Sequence, residues 1–137
     1  NGTNIENITL ITVHTKPAQA VNETASLHNV VETYKTNSTE SDIILLGDFN
    51  ADCGYASTYD LNQLDIRSPE YLWVVPDSAD TTYSENTHCA YDRIVLTSNI
   101  DGRFFGKWGV DRDMSSSEIS DHYPVWFDLD IREDVPE

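Results

Sequence analysis

Basic residues are what this sequence has least of. Eight Lys and Arg stand against 24 Asp and Glu, a formal net charge of −16 over 137 residues. Nonspecific nucleic-acid binding by a basic surface relies on Lys and Arg displacing counterions, so the charge argues against a passive DNA binder. It says nothing against a metal-using hydrolase, because acidic surfaces favour carboxylate-rich metal sites. Long apolar runs are also missing, which argues against a membrane span, and the residues from Asn1 onward do not resemble a signal peptide. The first residue is not Met, so the chain is expected to start after a cleavage or partway through a longer protein. Gly and Pro are few, at six and five, and no internal repeat or low-complexity segment interrupts a 39% hydrophobic composition. That is one globular domain, long enough to bury a core.

There are only two cysteines, Cys53 and Cys89. N-x-S/T acceptors occur at Asn1, Asn7, Asn22 and Asn37, and four within 37 residues point to secretion and a glycoprotein. Two thiols can be free and buried, but in a secretory setting a Cys53–Cys89 disulfide is the expectation. Closing a loop of that size stabilises the fold by about 4 kcal/mol on the chain-entropy model. A glycan on Asn7 would sit at the start of a predicted strand and needs that end exposed.

Residues 8–14 alternate apolar and Thr and read as a strand with both faces largely covered. From Ala18 to about Lys35 the spacing is helical, with Leu27, Val30, Val31 and Tyr34 on one stripe that Ala20 and Thr24 continue backward. The polar stretch 36–41 reads as a loop. The apolar run 43–46 then reads as a short buried strand, although a run this short is also compatible with helix. Strand, helix, strand gives an α/β (α+β) class. Residues 71–75 and 90–97 read as further strands, and 125–131 as the clearest half-buried one, with Val125, Phe127, Leu129 and Ile131 alternating against Trp126, Asp128 and Asp130. Residues 77–87 form a polar loop rich in oxygen ligands, either a Ca²⁺ loop or simply a solvated one.

Polar residues that can do chemistry sit at the strand ends. Gly47 breaks the 43–46 run, and Asp48 and Asn50 follow with Phe49 between them. If alternation persists, Asp48 and Asn50 point one way and Phe49 the other. A carboxylate and an amide oxygen so placed suit Mg²⁺, though an isolated G-D-x-N is more often a turn cap. His14 ends the first strand, where a lone histidine is more often structural than catalytic. Asp92 and the Asp121-His122 pair come before their apolar runs. If the later strands run antiparallel to the earlier ones, all these ends meet on one edge. Two histidines, three carboxylates and one amide in one cleft suit metal-assisted phosphodiester hydrolysis.

The chain resembles the deoxyribonuclease I family of the endonuclease/exonuclease/phosphatase superfamily. The matching stretches are G-D-F-N-A-D-C at 47–53, P-D-S-A-D-T-T at 76–82, C-A-Y-D-R-I-V at 89–95 and I-S-D-H-Y-P-V at 119–125, with V-H-T-K-P-A at 13–18 weaker. The resemblance implies catalytic histidines at His14 and His122, with Asp92 as the carboxylate partnering His122. It implies metal and phosphate contacts at Asp48, Asn50 and Asp121, and the Cys53–Cys89 disulfide. It further implies a secreted enzyme that hydrolyses DNA with Mg²⁺ or Mn²⁺, and a structural Ca²⁺ loop at Asp80, Thr82 and Thr87. Here that loop reads Y-S-E-N between Thr82 and Thr87, a departure that touches its ligand set.

Residues 1–137 resemble only the C-terminal half of the family fold, a four-layer α/β/β/α sandwich in which two sheets pack face to face. The other half would bring a metal-binding glutamate, the carboxylate that orients His14, and arginine and tyrosine contacts to DNA. The chain is therefore expected to expose an apolar sheet face and to require a complementary first-half segment or partner chain. Actin binding is undecided by these residues, since the family's contact surface lies in the other half. A second reading is a non-catalytic secreted glycoprotein module that keeps the fold for assembly or binding.

Overall fold

In a computed structural model, residues 7–114 and 116–132 are described, so the acceptor Asn1 lies outside the described residues. The chain forms β1 (Thr9–His14), α1 (Ala20–Asn37), β2 (Ile43–Asp48), a short α2 (Thr58–Asn62), β3 (Tyr71–Trp73), β4 (Asp92–Thr97), β5 (Trp108–Val110) and β6 (Val125–Phe127). The main sheet has the order β1-β2-β4-β3. β1 and β2 are parallel, joined by the α1 crossover, while β4 runs antiparallel to β2 and to β3. This is the mixed sheet that brings the C-terminal ends of β1 and β2 beside the N-terminal end of β4.

Alternation along the strands divides the core into two faces. Ile43, Leu45 and Val95 face α1 and pack with Val31, Phe49, Leu61, Ile66 and Tyr71. Ile44, Ile94 and Leu96 face the other way, where Ile8, Phe104, Trp108, Val125, Phe127 and Leu129 pack against them. The centre of the second face, expected to be bare, is thus covered by the chain's own residues. The strand after His122 ends at Phe127 rather than 131, because its partner β5 is only three residues long. Beyond it Asp128 and Asp130 bond instead to the carbonyls of Lys107 and Arg103, and Ile131 is exposed.

α1 runs two residues past Lys35 into the stretch read as loop. Its buried stripe is Ala20, Thr24 and Val31, with Leu27 and Tyr34 partly buried. Val30 is 44% exposed and does not belong to it. His28 turns inward instead, with Nδ1 2.7 Å from the Tyr71 hydroxyl. No helix among the described residues is long and apolar enough to cross a membrane.

An ionic cluster centred on a fully buried arginine lies under one end of the sheet. Arg93 has no exposure despite its place in an apolar strand. Its guanidinium donates to the carbonyls of Ala90, Val75 and Ala51 and to Asp77 Oδ1 at 2.7 Å. Arg67 donates to Asp77 Oδ2, also at 2.7 Å, and stacks over the Trp73 ring at 4.6 Å. Asp77 is the shared counterion that lets two guanidinium groups sit here.

Candidate active site

The site starts from the backbone at the end of β2. Gly47 adopts φ +141°, and a Cβ there would come 2.0 Å from the Val13 carbonyl oxygen, so only glycine lets β1 and β2 approach this closely. Asp48 follows in register with His14 on β1 and Asp92 on β4. Phe49 drops into the core, edge-on to Trp73, while Asp48 and Asn50 on either side of it line a cleft. Asn50 sits at φ 47°, a left-handed conformation that asparagine tolerates better than most residues.

Two reciprocal contacts with Thr15 lock this turn. The Thr15 hydroxyl donates to the Phe49 carbonyl at 2.6 Å, and Asn50 Nδ2 donates to the Thr15 carbonyl at 2.9 Å. With its nitrogen so committed, the Asn50 amide has its oxygen left for the cleft. The Asn50 backbone N–H meanwhile donates to Asp48 Oδ1 at 2.9 Å. The turn-cap geometry is therefore real, and it coexists with the placement of Asp48 and Asn50 in the cleft.

A cleft of about 650 Å³ is lined by His14, Asp48, Asn50, Asp92, Asp121 and His122, together with Tyr55, Tyr91, Pro17 and Ser120. All six residues singled out at strand ends meet there. Asp48 Oδ2 lies 3.8 Å from His14 Nε2 and 3.8 Å from His122 Nδ1, midway between the two imidazoles. His122 Nδ1 is 2.8 Å from Asp92 Oδ2, a charge-assisted hydrogen bond. Ligand atoms of Asp48, Asp92 and His122 all lie within 4.8 Å of one another. Asp121 stands apart: its side chain is 92% exposed at the rim, 3.9 Å from His122 Nε2.

Burial pushes the Asp48 carboxyl above its ordinary range. The Asn50 N–H opposes that rise, the neighbouring Asp92 charge adds to it, and the two histidines oppose it. The hydrogen bond to Asp92 raises the His122 imidazole, against the opposing effect of burial. With Nδ1–H committed to Asp92, His122 presents Nε2 to the cleft. The donor set fits a hard divalent cation: Asp48 and Asn50 offer oxygens, and Asp48 carries a charge that no Lys or Arg among the described residues neutralises.

Several contributors escaped the sequence reading. Thr81 is fully buried, and its hydroxyl donates to Asp92 Oδ2 at 2.6 Å, sharing that oxygen with His122. Tyr91 stacks along the His122 ring at 5.8 Å between centroids and lies 5.8 Å from Tyr55. Asp52 accepts from the Ala90 N–H at 2.7 Å, tying the turn after β2 to the segment before β4. Cys53 and Cys89 form a disulfide across the same junction. Asp52, Thr81 and Tyr91 all fall inside the quoted motifs, but nothing in a lone threonine or tyrosine distinguishes a cleft residue from a surface one.

Asp80, Thr82 and Thr87 are brought together in the loop before Cys89, with Thr82 bridged to His122. Of the glycan acceptors, Asn7, Asn22 and Asn37 are exposed, although Thr24 of the Asn22 acceptor is fully buried in α1.

No family model matches the chain. Among curated proteins it is 36% identical to deoxyribonuclease-1 of Sus scrofa over 135 residues, which is 90% of this chain and 47% of that protein. It is 38% identical to deoxyribonuclease-1 of Ovis aries, covering 51% of it, and 39% identical to deoxyribonuclease-1-like 2 of Homo sapiens, covering 44%. The chain thus spans about half the length of the curated relatives it matches. Among solved structures, the endonuclease domain of TRAS1, a telomere-specific non-LTR retrotransposon, matches 96% of the chain and 62% of that domain with a TM-score of 0.64 at 17% identity. The Haemophilus ducreyi cytolethal distending toxin matches 92% of the chain and 50% of its own, with a TM-score of 0.62 at 21% identity. At such identities these two likenesses concern the fold alone.

Proposed function

We propose that the chain belongs to the deoxyribonuclease I family over the half of its relatives that it spans, and that it supplies part of the active site of a DNA-hydrolysing nuclease. Residues 1–137 act in this proposal as the C-terminal half of the domain. The observation that carries it is the convergence on one cleft of His14, Asp48 and Asp92, from three neighbouring strands of one sheet, with Asn50 just past β2 and His122 from the segment before β6.

Each group has a role its geometry supports. Asp92 fixes the His122 tautomer and stabilises the imidazolium, so Nε2 takes a proton from the attacking water as general base. His14, exposed and on the far side of Asp48, is placed to protonate the leaving oxygen. Asp48 and Asn50 hold Mg²⁺ or Mn²⁺, with Asp121 contacting the cation or the phosphate from the rim. A bound divalent cation would neutralise charge developing on the phosphate. Tyr91 and Tyr55 wall the cleft and keep the His122 ring in place. Calcium at Asp80, Thr82 and Thr87 is no part of this proposal, since the oxygens concerned are already hydrogen-bonded within the protein.

The proposal includes a complementary first half, as a separate segment or partner chain, because no carboxylate other than Asp48 lies near His14 among the described contacts. Exposed Leu10 on the edge strand β1, with Phe105 and Trp126, supports a surface that is covered in the whole protein. It also includes secretion, with glycans on the exposed acceptors; the disulfide supports that setting.

A plasmid-nicking assay with Mg²⁺ on the full-length protein tests the reading. His122→Ala is expected to lower the nicking rate by about 10²-fold or more, the usual weight of a general base. Nicking unaffected by His122→Ala or Asp121→Ala would sink the catalytic assignment in favour of a non-catalytic module.

A further inference from the structure

Asp80 has each of its oxygens engaged by the protein. Oδ1 accepts from the Thr82 N–H at 3.0 Å and from the Thr82 hydroxyl at 2.7 Å. Oδ2 lies 2.9 Å from His88 Nδ1. The Asp80 backbone carbonyl accepts from Arg112 Nη2 at 2.7 Å, and the Arg112 guanidinium lies over the Tyr123 ring at 5.0 Å. The Thr82 hydroxyl also reaches the Thr87 carbonyl oxygen at 2.5 Å, so its single proton is shared between two acceptors. Burial alone would raise the Asp80 carboxyl, yet hydrogen bonds from Thr82 and His88 hold it below its usual range.

This arrangement does not fit calcium. The ion takes about six to eight oxygen ligands. The loop offers the Asp80 carboxylate, the Thr82 hydroxyl and the Thr87 carbonyl, all of them already bonded within the protein. His88 brings a nitrogen where an oxygen would be needed. Arg112 brings a permanent positive charge to the Asp80 carbonyl, which repels a cation placed beside it.

The loop nonetheless governs the cleft. Thr81, between Asp80 and Thr82, donates its hydroxyl to Asp92. Its carbonyl accepts from the Tyr123 N–H at 2.8 Å, and the Tyr83 N–H donates to the Asp121 carbonyl at 2.8 Å, so residues 81–83 lie alongside 121–123. Whatever holds Asp80 therefore holds Thr81 against the Asp92–His122 pair.

We propose that His88 and Arg112 clamp Asp80 in the role the family resemblance gives to calcium, so that the register of Thr81 against Asp92 and His122 is set by protein groups alone. The clamp takes two side chains, one from the end of the loop that carries Asp80 and one from the segment leading to His122.

The test reads stability rather than nicking, so it stands apart from the nuclease proposal. The melting temperature of the full-length protein is measured in CaCl₂ and in EGTA at constant Mg²⁺, for the wild type and for Asp80→Asn. Calcium sites elsewhere in the full-length protein shift both proteins equally, and an equal shift is the expected result. A calcium-dependent rise that Asp80→Asn abolishes would overturn the proposal. The double variant His88→Ala/Arg112→Ala, measured in EGTA, supplies the positive arm. It is expected to melt about 2–4 °C lower than the wild type; an unchanged melting temperature would show that the two side chains hold nothing.

Discussion

Asp77 and Asp48 are the same residue type at opposite ends of similar circumstances. Their side chains are 24% and 21% exposed, and each lies beside the main sheet. Burial raises both carboxyls. At Asp77 that rise is overcome by hydrogen bonds from Arg67 and Arg93, and the carboxyl ends below its ordinary range. At Asp48 a single backbone N–H and two histidines oppose burial and the Asp92 charge, and the carboxyl ends above it. One carboxylate has been given its counterions by the chain, and the other has been left short of them. A protein so acidic that leaves a half-buried carboxylate short of positive charge has built a place for a cation from outside.

The largest effect that probes this contrast is at Arg93. Arg93→Met removes a fully buried guanidinium from Asp77 while Arg67 remains. Unfolding by denaturant should show a loss of about 3 kcal/mol, the low end for breaking a buried pair. A loss below about 1 kcal/mol would mean that the cluster is far more solvated than its burial implies.

Asp77→Asn should cost less, and its cost should depend on pH. A folded-state pKa below the unfolded value means that the unfolded chain binds more protons in the window between them. Stability from Asp77 is therefore fully present above about pH 3.9 and is lost as pH falls through the lower folded value. Acid unfolding of the variant should be flatter in that window than that of the wild type. An identical acid limb would remove Asp77 from the account.

Asp48→Asn should have the opposite sign. In metal-free protein it removes a charge the fold holds at a cost, so the melting temperature should stay level or rise while nicking is lost. A clear fall in metal-free stability would show that His14 and His122 already satisfy Asp48. The smallest effect belongs to Asp128, 59% exposed and 3.2 Å from the still more exposed Lys107. Asp128→Asn should change stability by no more than about 0.5 kcal/mol, as for other solvent-screened surface pairs.

The sheet and the cleft were legible in the sequence because the signals there are strict. The apolar runs at 43–46 and 90–97, the glycine at 47 and the polar residues at the strand ends, with the later strands taken as antiparallel, were enough to bring six side chains together. Arg93 was also visible, as a charge inside the apolar run D-R-I-V-L-T, but its partner Asp77 lies sixteen residues away and no local pattern points to it. Val30 satisfied helical spacing and still faces solvent, since spacing gives a stripe but not its edges. The 125–131 alternation promised a longer strand than β5 can pair. Thr15 and Thr81 could not be found, because a hydroxyl bonded to a carbonyl or a carboxylate leaves no mark on residue type. Covering the second sheet face with Phe104, Trp108 and Phe127 likewise depends on how irregular segments fold back, which periodicity does not encode.

A cation site at Asp48 should show itself as stabilisation by divalent cations. The melting temperature of the full-length protein is followed as Mg²⁺ is added, for the wild type beside Asp48→Asn. A cation that binds only the folded state raises stability with its concentration. The expected result is a rise in the wild type that Asp48→Asn largely removes. No rise in the wild type, or the same rise in both proteins, would contradict a cation site at Asp48.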